Sequence, residues 1–255
     1  MNQTKYRSSL GMSYYSMKSP FMLLSASERV NDMADYAFQS MTFAQRFFGH
    51  LKTVCKHKYY VARGCFRCGL YKQGLLHDLS KFSPAEFGIG IRYFDGHKSP
   101  NAVERSTHDG CSTSWLHHKG RNRHHFEYWI DFAFHQNKTV YGNKMPMKYL
   151  VEMVCDRLAA CITYQGPNYT KASAWNHYYM HRQYIVMNND TRAVLEKCLK
   201  LIRDEGEDAC FKYMRGLLRI TKGTDYGIES LGLEDPNVEF CYKYGEVNWT
   251  KFNQD

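Results

Sequence analysis

The sequence predicts an all-α protein, and three observations support this prediction. Apolar residues recur at helical spacing in several segments, most clearly at Leu150, Val154, Leu158 and Ile162. Segments with the period of two that marks half-buried strands are few. Gly and Pro residues separate the helical segments at intervals typical of connecting loops. We therefore expect a helical bundle, which at 255 residues is long enough to enclose a sizeable core.

The chain divides into three predicted parts. Residues 1–40 form an N-terminal extension, residues 41–222 a helical domain, and residues 223–255 a C-terminal extension. Both extensions are expected to be loosely structured, because neither has a convincing apolar period. Within the first of them, Ser27 is a candidate N-cap for a helix that runs on towards Phe48.

The helices of the first half follow from local patterns. An apolar stripe over 42–63 predicts a helix that Gly64 ends, and a second helix is predicted over 66–78. The sequence Ser-Pro-Ala-Glu at 83–86 is a capping box with Pro at the first helical position. This third helix is expected to end near residues 95–96.

The second half begins with a predicted loop over 96–111, rich in Gly, Ser, Pro and Asn. A short helix follows through Trp115, and Gly120 interrupts it. Pro146 then opens the clearest helix of the chain, which Gly166 ends. Two or three further helices are predicted over residues 172–182, 191–203 and 208–220.

Composition narrows the classes of partner. The formal net charge of +9 favours an anionic partner such as a small phosphorylated substrate, a nucleotide among them. No long run of Lys and Arg marks a nucleic-acid-binding arm, so nucleic acid is the less favoured partner. No apolar stretch reaches the length of a membrane span, and no secretory signal is recognisable, so a cytoplasmic protein without membrane partners is expected.

The cysteine content also favours a cytoplasmic protein. Nine cysteines at scattered spacings indicate reduced thiols rather than a disulfide framework. Cys65 and Cys68 form a single CxxC, whereas a structural zinc site normally needs a second pair. Buried thiols are therefore the favoured interpretation of this motif.

Candidate metal ligands occur on four separate segments. They are His50, the adjacent pair His77 and Asp78, the histidine cluster of residues 117–125, and Asp156. Neutral imidazole and carboxylate suit divalent transition metals such as Mn, Fe, Co, Ni or Zn. Lys81 follows the His-Asp pair by one turn, where a cation can meet an anionic substrate beside a metal. The competing interpretation is a solvated helix end with surface imidazoles.

The order of these residues resembles the HD-domain superfamily of metal-dependent phosphohydrolases, which are all-α. Its defining ligands are a His, a His-Asp doublet and a distant Asp, here matched by His50, His77, Asp78 and Asp156. The strings HDLSKFSPAEF, WLHHKGRNRHHFEYW and EMVCDRLAA also resemble an uncharacterised domain-of-unknown-function family found in bacteria and phages. That likeness covers about residues 45–185 and brings no established activity with it.

The resemblance implies roles for individual residues. The four ligands above would hold a first metal, and a second ion would be held by the histidine cluster, for which the ligands are His118 and either His124 or His125. Lys81 matches the Lys of the HDxxK motif of the HD-GYP branch, which contacts a substrate phosphate. Beyond the resemblance, Arg121 and Arg123 are candidate phosphate anchors, and Glu152 is a candidate base or a group that orients a ligand.

Three functions remain open at this point. The first is a metal-dependent phosphohydrolase that acts on a nucleotide or another small phosphoester through metal-activated water, with one or two ions and with Asp78, Lys81 and Glu152 at the catalytic centre. The second is a dinuclear iron oxygenase of the HD type, and the third is a catalytically silent metal-binding or interaction module.

Overall fold

The computed structural model describes residues 41–108, 110–132 and 140–238. Within these residues it contains nine α-helices, four short 3₁₀ helices and one antiparallel pair of two-residue strands, so the predicted all-α fold is confirmed. The α-helices are α1 (Phe43–Arg67), α2 (Tyr71–Leu76), α3 (Pro84–Arg92), α4 (Pro100–Thr107), α5 (Thr113–Lys119), α6 (Met147–Gln165), α7 (Ser173–His181), α8 (Asn189–Asp204) and α9 (Glu207–Ile220). The 3₁₀ helices span Leu79–Phe82, Phe126–Trp129, Gly166–Asn168 and Arg182–Tyr184, and the strands are β1 (Ile130–Asp131) and β2 (Tyr141–Gly142).

Helix α1 begins at a capping box and continues to Arg67, past the end that was predicted at Gly64. The Thr42 hydroxyl accepts a hydrogen bond from the backbone N–H of Gln45, and the Gln45 side chain accepts one from the backbone N–H of Thr42. Gly64 does not end the helix. It lies against Cys155 of α6, where an added Cβ would meet the Cys155 Sγ at 3.1 Å. The glycine therefore serves close helix packing, and the chain turns only at Gly69, whose φ is +83°.

Two further expectations, for the second helix and for the loop over 96–111, were wrong. The second helix begins at Tyr71 rather than near residue 66, because α1 continues through that point. The predicted loop over 96–111 contains helix α4, which starts at Pro100 directly after Ser99. Ser followed by Pro at the first helical position is a start pattern that the Gly and Ser residues around it obscured.

The predicted capping box at Ser83 is also incorrect in part. Pro84 does occupy the first position of α3, but the Ser83 side chain makes no capping hydrogen bond. The Glu86 side chain instead points at two histidines of α5, described below.

Four helices enclose the apolar core. Helix α6 contacts α1, α8 and α9, and α8 packs against α9 as a helical hairpin. Helix α7 adds Tyr178, and the segment before α6 adds Met145. The largest fully buried side chains of this core include Tyr178, Met145, Leu150, Met153, Leu195, Leu199, Ile202 and Met214. Cys65 and Cys68 are buried in the same core, as the CxxC interpretation required.

The chain after α9 has an irregular backbone up to residue 238, where its description ends. Tyr226 anchors it to the domain, since this ring is buried and its hydroxyl donates to the backbone oxygen of Met145 at 2.6 Å. Residues 1–40, including the N-cap predicted at Ser27, lie outside the described residues, and the predicted domain boundaries stay predictions. No helix among the described residues is both long and apolar enough to span a bilayer.

Candidate metal centre

The predicted His-Asp pair lies at a sharp turn between α2 and the following 3₁₀ helix. His77 is the C-cap residue of α2, and Asp78 adopts a left-handed backbone conformation with φ of 53°. Asp is one of the few side chains that tolerate this conformation. The turn directs both side chains into the protein, where each is almost fully buried.

A first group of candidate ligands forms around one side of Asp78. The Nε2 atom of His57 lies 2.9 Å from Oδ1 of Asp156, and Nε2 of His77 lies 3.5 Å from the same oxygen. The His77 Nε2 atom is also 3.2 Å from Oδ2 of Asp78. One ligand atom from each of these four residues lies within 4.8 Å of all the others, which is close enough to surround a single ion.

A second group forms around the other oxygen of the same carboxylate. Oδ1 of Asp78 lies 3.3 Å from Nε2 of His118 and 3.4 Å from Nε2 of His124. His125 completes this group, again with all ligand atoms within 4.8 Å. Asp78 is thus common to both groups, with Oδ2 towards His77 and Oδ1 towards His118 and His124. Its carboxylate would take part in holding an ion at either group.

The structure brings His57, rather than His50, to the first group. Both histidines lie on the same face of α1, but seven residues separate them by about 10 Å along a helix. His50 is buried two turns away, where its ring packs against Phe87 and Phe94 with centroids 5.0 and 6.2 Å apart. Burial in these surroundings, with Lys81 nearby, lowers the pKa of His50 to about 4. His50 is in none of the ligand groups found among the described residues.

Two acidic side chains orient the histidines from behind. Oε1 of Glu152 lies 2.9 Å from Nδ1 of His77 and 3.2 Å from Nδ1 of His124. Oε2 of Glu86 lies 2.7 Å from Nδ1 of His118. A carboxylate that accepts the Nδ1 proton fixes the tautomer in which Nε2 carries the free lone pair, as in most histidine metal sites.

His77, His124 and Glu152 also lie close enough together to form a third group by distance alone. In that group the two imidazoles would have to bind through Nδ1, the atom that the Glu152 carboxylate engages. We therefore assign Glu152 to ligand orientation rather than to a third ion.

Histidines 124 and 125 both join the second group, although only one of them was predicted to do so. That prediction assumed a helix, on which neighbouring side chains diverge. Both residues instead lie in the turn between Gly120 and the 3₁₀ helix at Phe126, and their ring centroids are 4.2 Å apart. His117, by contrast, contacts the other oxygen of Glu86 at 2.6 Å.

The donor set fits a metal. Several of its atoms are buried and make no hydrogen bond within the part of the chain that the structure describes; they are Nε2 of His57, His77, His124 and His125 and Oδ1 of Asp78. The other carboxylate oxygen of Asp78 forms an ion pair with Lys81. Such atoms are costly unless a cation or water satisfies them. Imidazole nitrogens and carboxylates in this mixture suit a divalent transition metal.

The pKa shifts differ among the candidate ligands. Despite their burial, the Asp78 carboxylate beside them raises the pKa of His77 and of His118, so these two imidazoles would release a proton when an ion binds. The pKa values of Asp78 and His125 are shifted the other way. Burial alone would raise the pKa of Asp78, but His77, Lys81 and His118 outweigh it and hold the pKa of this carboxyl well below its ordinary value. Burial, together with the charges of His124 and His118, lowers the pKa of His125 well below its ordinary value. The ionised carboxylate and the neutral imidazole are the forms that bind metals.

Two adjoining cavities border the two ligand groups. One of about 340 Å³, here called the metal-facing cavity, is lined in part by His57, Lys81, His118, His125 and Asp156. A larger one of about 790 Å³ shares His125 and Asp156 with it, so the two adjoin. Lys81 places its Nζ atom 2.6 Å from Oδ2 of Asp78.

The two predicted phosphate anchors lie elsewhere. Arg121 and Arg123 line a separate cavity of about 290 Å³, here called the basic cavity, whose floor is formed by His77, His124 and Glu152. Lys81 lines the metal-facing cavity and not this one. Arg121 and Arg123 thus do not share a cavity with Lys81.

Fold and site together define a class: a helical protein with a buried histidine- and aspartate-lined centre that is able to hold metal ions. Comparison with protein families identifies its membership. The profile of the family of unknown function DUF5662 matches residues 46–201, more than half of the chain, and the protein belongs to this family. No curated protein and no solved structure matches the chain.

Sequence reasoning missed two residues of this centre as leading candidates. His57 lies on the same face of α1 as His50, and the two differ only in their position along the helix axis. The capping-box pattern predicts that Glu86 caps its own helix, but a carboxylate five residues after Lys81 is equally a candidate partner for a histidine. The sequence contained both residues but no pattern that selected them.

Proposed function

We propose that this protein is a metal-dependent phosphohydrolase that acts on a small phosphoester, with a nucleotide as one candidate substrate. The observation that carries the proposal is the position of Lys81, a cation on the cavity side of Asp78 with Nζ 2.6 Å from its Oδ2 atom. A lysine at the edge of a metal-ligand group is placed to attract a phosphoryl oxygen. The resemblance to the HDxxK motif supports the same role.

The residues divide the work as follows. His57, His77 and Asp156 would hold one ion and His118, His124 and His125 a second, with Asp78 between the two. Bound there, a divalent ion supplies Lewis acidity and lowers the pKa of water, which makes hydroxide available near neutral pH. Glu152 and Glu86 keep the imidazole tautomers fixed. Lys81 offsets negative charge on the phosphoryl group, and the surrounding burial strengthens this interaction.

The test begins with metal content. We would measure transition metals in the purified wild-type protein and in Asp78→Asn, with Asp208→Asn as the control at an exposed aspartate of α9. Asn tolerates the left-handed conformation of residue 78 and has the same shape, so the variant is expected to fold. The wild type and Asp208→Asn should hold one or two equivalents of metal, and Asp78→Asn fewer.

Turnover decides the reaction. The metal-loaded wild type should release phosphate or the corresponding alcohol from at least one member of a panel of phosphomonoesters, phosphodiesters and nucleotides, and Asp78→Asn should not. A metal-loaded wild type that is inactive on the whole panel would refute the hydrolase proposal. A wild type that binds no metal and stays folded would refute the metal centre itself.

A dinuclear iron oxygenase is the second candidate, because Asp78 is shared by two histidine-rich groups. Two irons per chain together with oxygen consumption in the presence of an organic substrate would favour it over hydrolysis. The same metal centre without any turnover, but with loss of folding on metal removal, would indicate a structural module.

A further inference from the structure

More cationic than acidic side chains line the basic cavity. Four cationic side chains line it, and Glu152 is the one acidic residue of its lining. The Glu152 carboxylate is already engaged by the Nδ1 atoms of two histidines. The four cations are Lys72, Arg121, Arg123 and Lys148.

None of these four cations forms an ion pair with a carboxylate among the residues that the structure describes. Arg121 donates to the backbone oxygen of His117 at 3.3 Å, and Arg123 approaches the Tyr149 hydroxyl at 3.5 Å. Neither contact neutralises charge. Cations gathered around a concave surface without a counter-charge repel one another unless an anion binds between them.

One aromatic ring holds two of the cations together. The Nζ atom of Lys148 lies 4.9 Å from the centroid of the Tyr149 ring, and the guanidinium carbon of Arg123 lies 5.9 Å from the same centroid. A second ring, that of Tyr128, lies 5.6 Å from the Arg123 guanidinium. Cation–π contacts at these distances favour these positions of the two side chains. All four cationic side chains are exposed to solvent, so a dissolved anion can reach them.

The basic cavity is separate from the metal-facing cavity. The basic cavity is lined by His77, His124 and Glu152, but neither Asp78 nor Asp156 lines it. An anion bound there would therefore lie apart from the carboxylate that the two ligand groups share. Its volume of about 290 Å³ suits a phosphate group with a small substituent.

We infer that the basic cavity is a second binding site, distinct from the metal centre, that takes a tetrahedral oxoanion such as inorganic phosphate or the phosphate group of a small metabolite. Arg121 and Arg123 can engage two oxygens each, and Lys72 and Lys148 add point charges. This inference does not rest on hydrolase activity, because binding alone is measured.

The experiment titrates inorganic phosphate into the purified full-length protein by calorimetry, at constant ionic strength maintained with chloride. The wild type should show a saturable binding event at this site. Arg123→Glu and Lys148→Glu should each weaken it by about tenfold or more, the effect expected when a charge-assisted contact is replaced by repulsion. Lys212→Glu, at an exposed lysine of α9, makes the same change of charge elsewhere and should leave the affinity unchanged.

Two further variants sharpen the outcome. Binding should persist in Asp78→Asn, whose changed residue belongs to the metal groups, and it should weaken in Tyr149→Leu, which keeps every charge but removes the ring that holds them. If charge reversal prevents folding, as judged by circular dichroism, Arg123→Gln and Lys148→Gln replace it.

Several results would overturn the inference. No saturable phosphate binding in the wild type would do so, as would equal weakening by Lys212→Glu, which indicates a diffuse basic surface. Loss of all binding in Asp78→Asn would move the anion to the metal centre. Binding of a single-stranded oligonucleotide without binding of phosphate would identify a nucleic-acid surface instead.

Discussion

Glu152 of α6 holds the ring of His77 from behind, with its Oε1 atom 2.9 Å from Nδ1 of the histidine. The opposite ring nitrogen, Nε2, faces Asp78 and Asp156. Because one imidazole can donate only one proton when neutral, the carboxylate determines which nitrogen has the lone pair. The metal affinity of the centre should therefore depend on Glu152 although this residue would not touch the ion.

Glu152→Gln tests this dependence. The amide has the size of the carboxylate but no charge, so it should weaken metal binding by about 10- to 100-fold, the range typical of groups that orient metal-bound histidines. Competition against a chelator of known affinity measures the change. Glu229→Gln, at an exposed residue, is the matched control and should bind metal like the wild type. Equal affinities in Glu152→Gln and the wild type would contradict the orienting role.

His57 and His50 give opposite predictions. His57→Ala should lose metal, because it removes Nε2 from the first ligand group. His50→Ala should keep the metal and lower the free energy of unfolding by roughly 1–3 kcal/mol, because it removes a buried ring packed on Phe87 and Phe94. Elemental analysis and urea unfolding of both variants measure the two effects. Metal loss in His50→Ala alone would restore the original sequence-based assignment.

Lys81→Met should separate substrate binding from metal binding. The methionine keeps most of the side-chain volume but not the charge, so the metal content should remain while kcat/KM for a phosphoester substrate falls by about a hundredfold, as when a charged donor to a phosphoryl oxygen is lost. Lys212→Met supplies a control at an exposed lysine. A variant with unchanged kcat/KM would remove Lys81 from the proposed reaction.

Glu104 predicts a pH dependence of stability away from the centre. Its carboxylate accepts hydrogen bonds from the side chains of Ser112, Thr113 and Ser114 and from the backbone N–H of Thr113, and so ties α4 to the start of α5. Burial raises the pKa of Glu104, but these hydrogen bonds outweigh it and lower the pKa below its ordinary value of 4.5.

A carboxyl with a lowered pKa in the folded state stabilises the protein fully above its unfolded pKa, and the contribution is lost as the pH falls through the lower, folded value. Glu104→Gln should therefore lower the free energy of unfolding at pH 7 by roughly 1–3 kcal/mol. The difference between variant and wild type should shrink below about pH 4.5. Urea unfolding across this pH range measures it, and a constant difference would show that the carboxylate charge is not involved.

The sequence was sufficient for the helices with strong apolar stripes and for the central part of the site. Helix α6 begins directly after Pro146 and ends directly before Gly166, as predicted, because a start pattern, a periodic stripe and a stop pattern agree there. His77, Asp78 and Asp156 do come together. The spacing of residues along one helix reveals which of them share a face. It does not reveal which position on that face another helix contacts, because this depends on tertiary packing. The sequence therefore favoured His50, whereas the structure places His57 at the centre.

Close packing at Gly64 has a consequence for the distant centre. Gly64 lies two turns beyond His57 on α1, and Cys155, which it touches, is the neighbour of Asp156 on α6. A methyl group at residue 64 would lie 3.1 Å from the Cys155 sulfur, so the Cys155 side chain would have to move by a few tenths of an ångström. The two helices that carry His57 and Asp156 are thus also in direct contact in the apolar core. A substitution at Gly64 would therefore be expected to disturb the spacing of the candidate ligands without changing any of them.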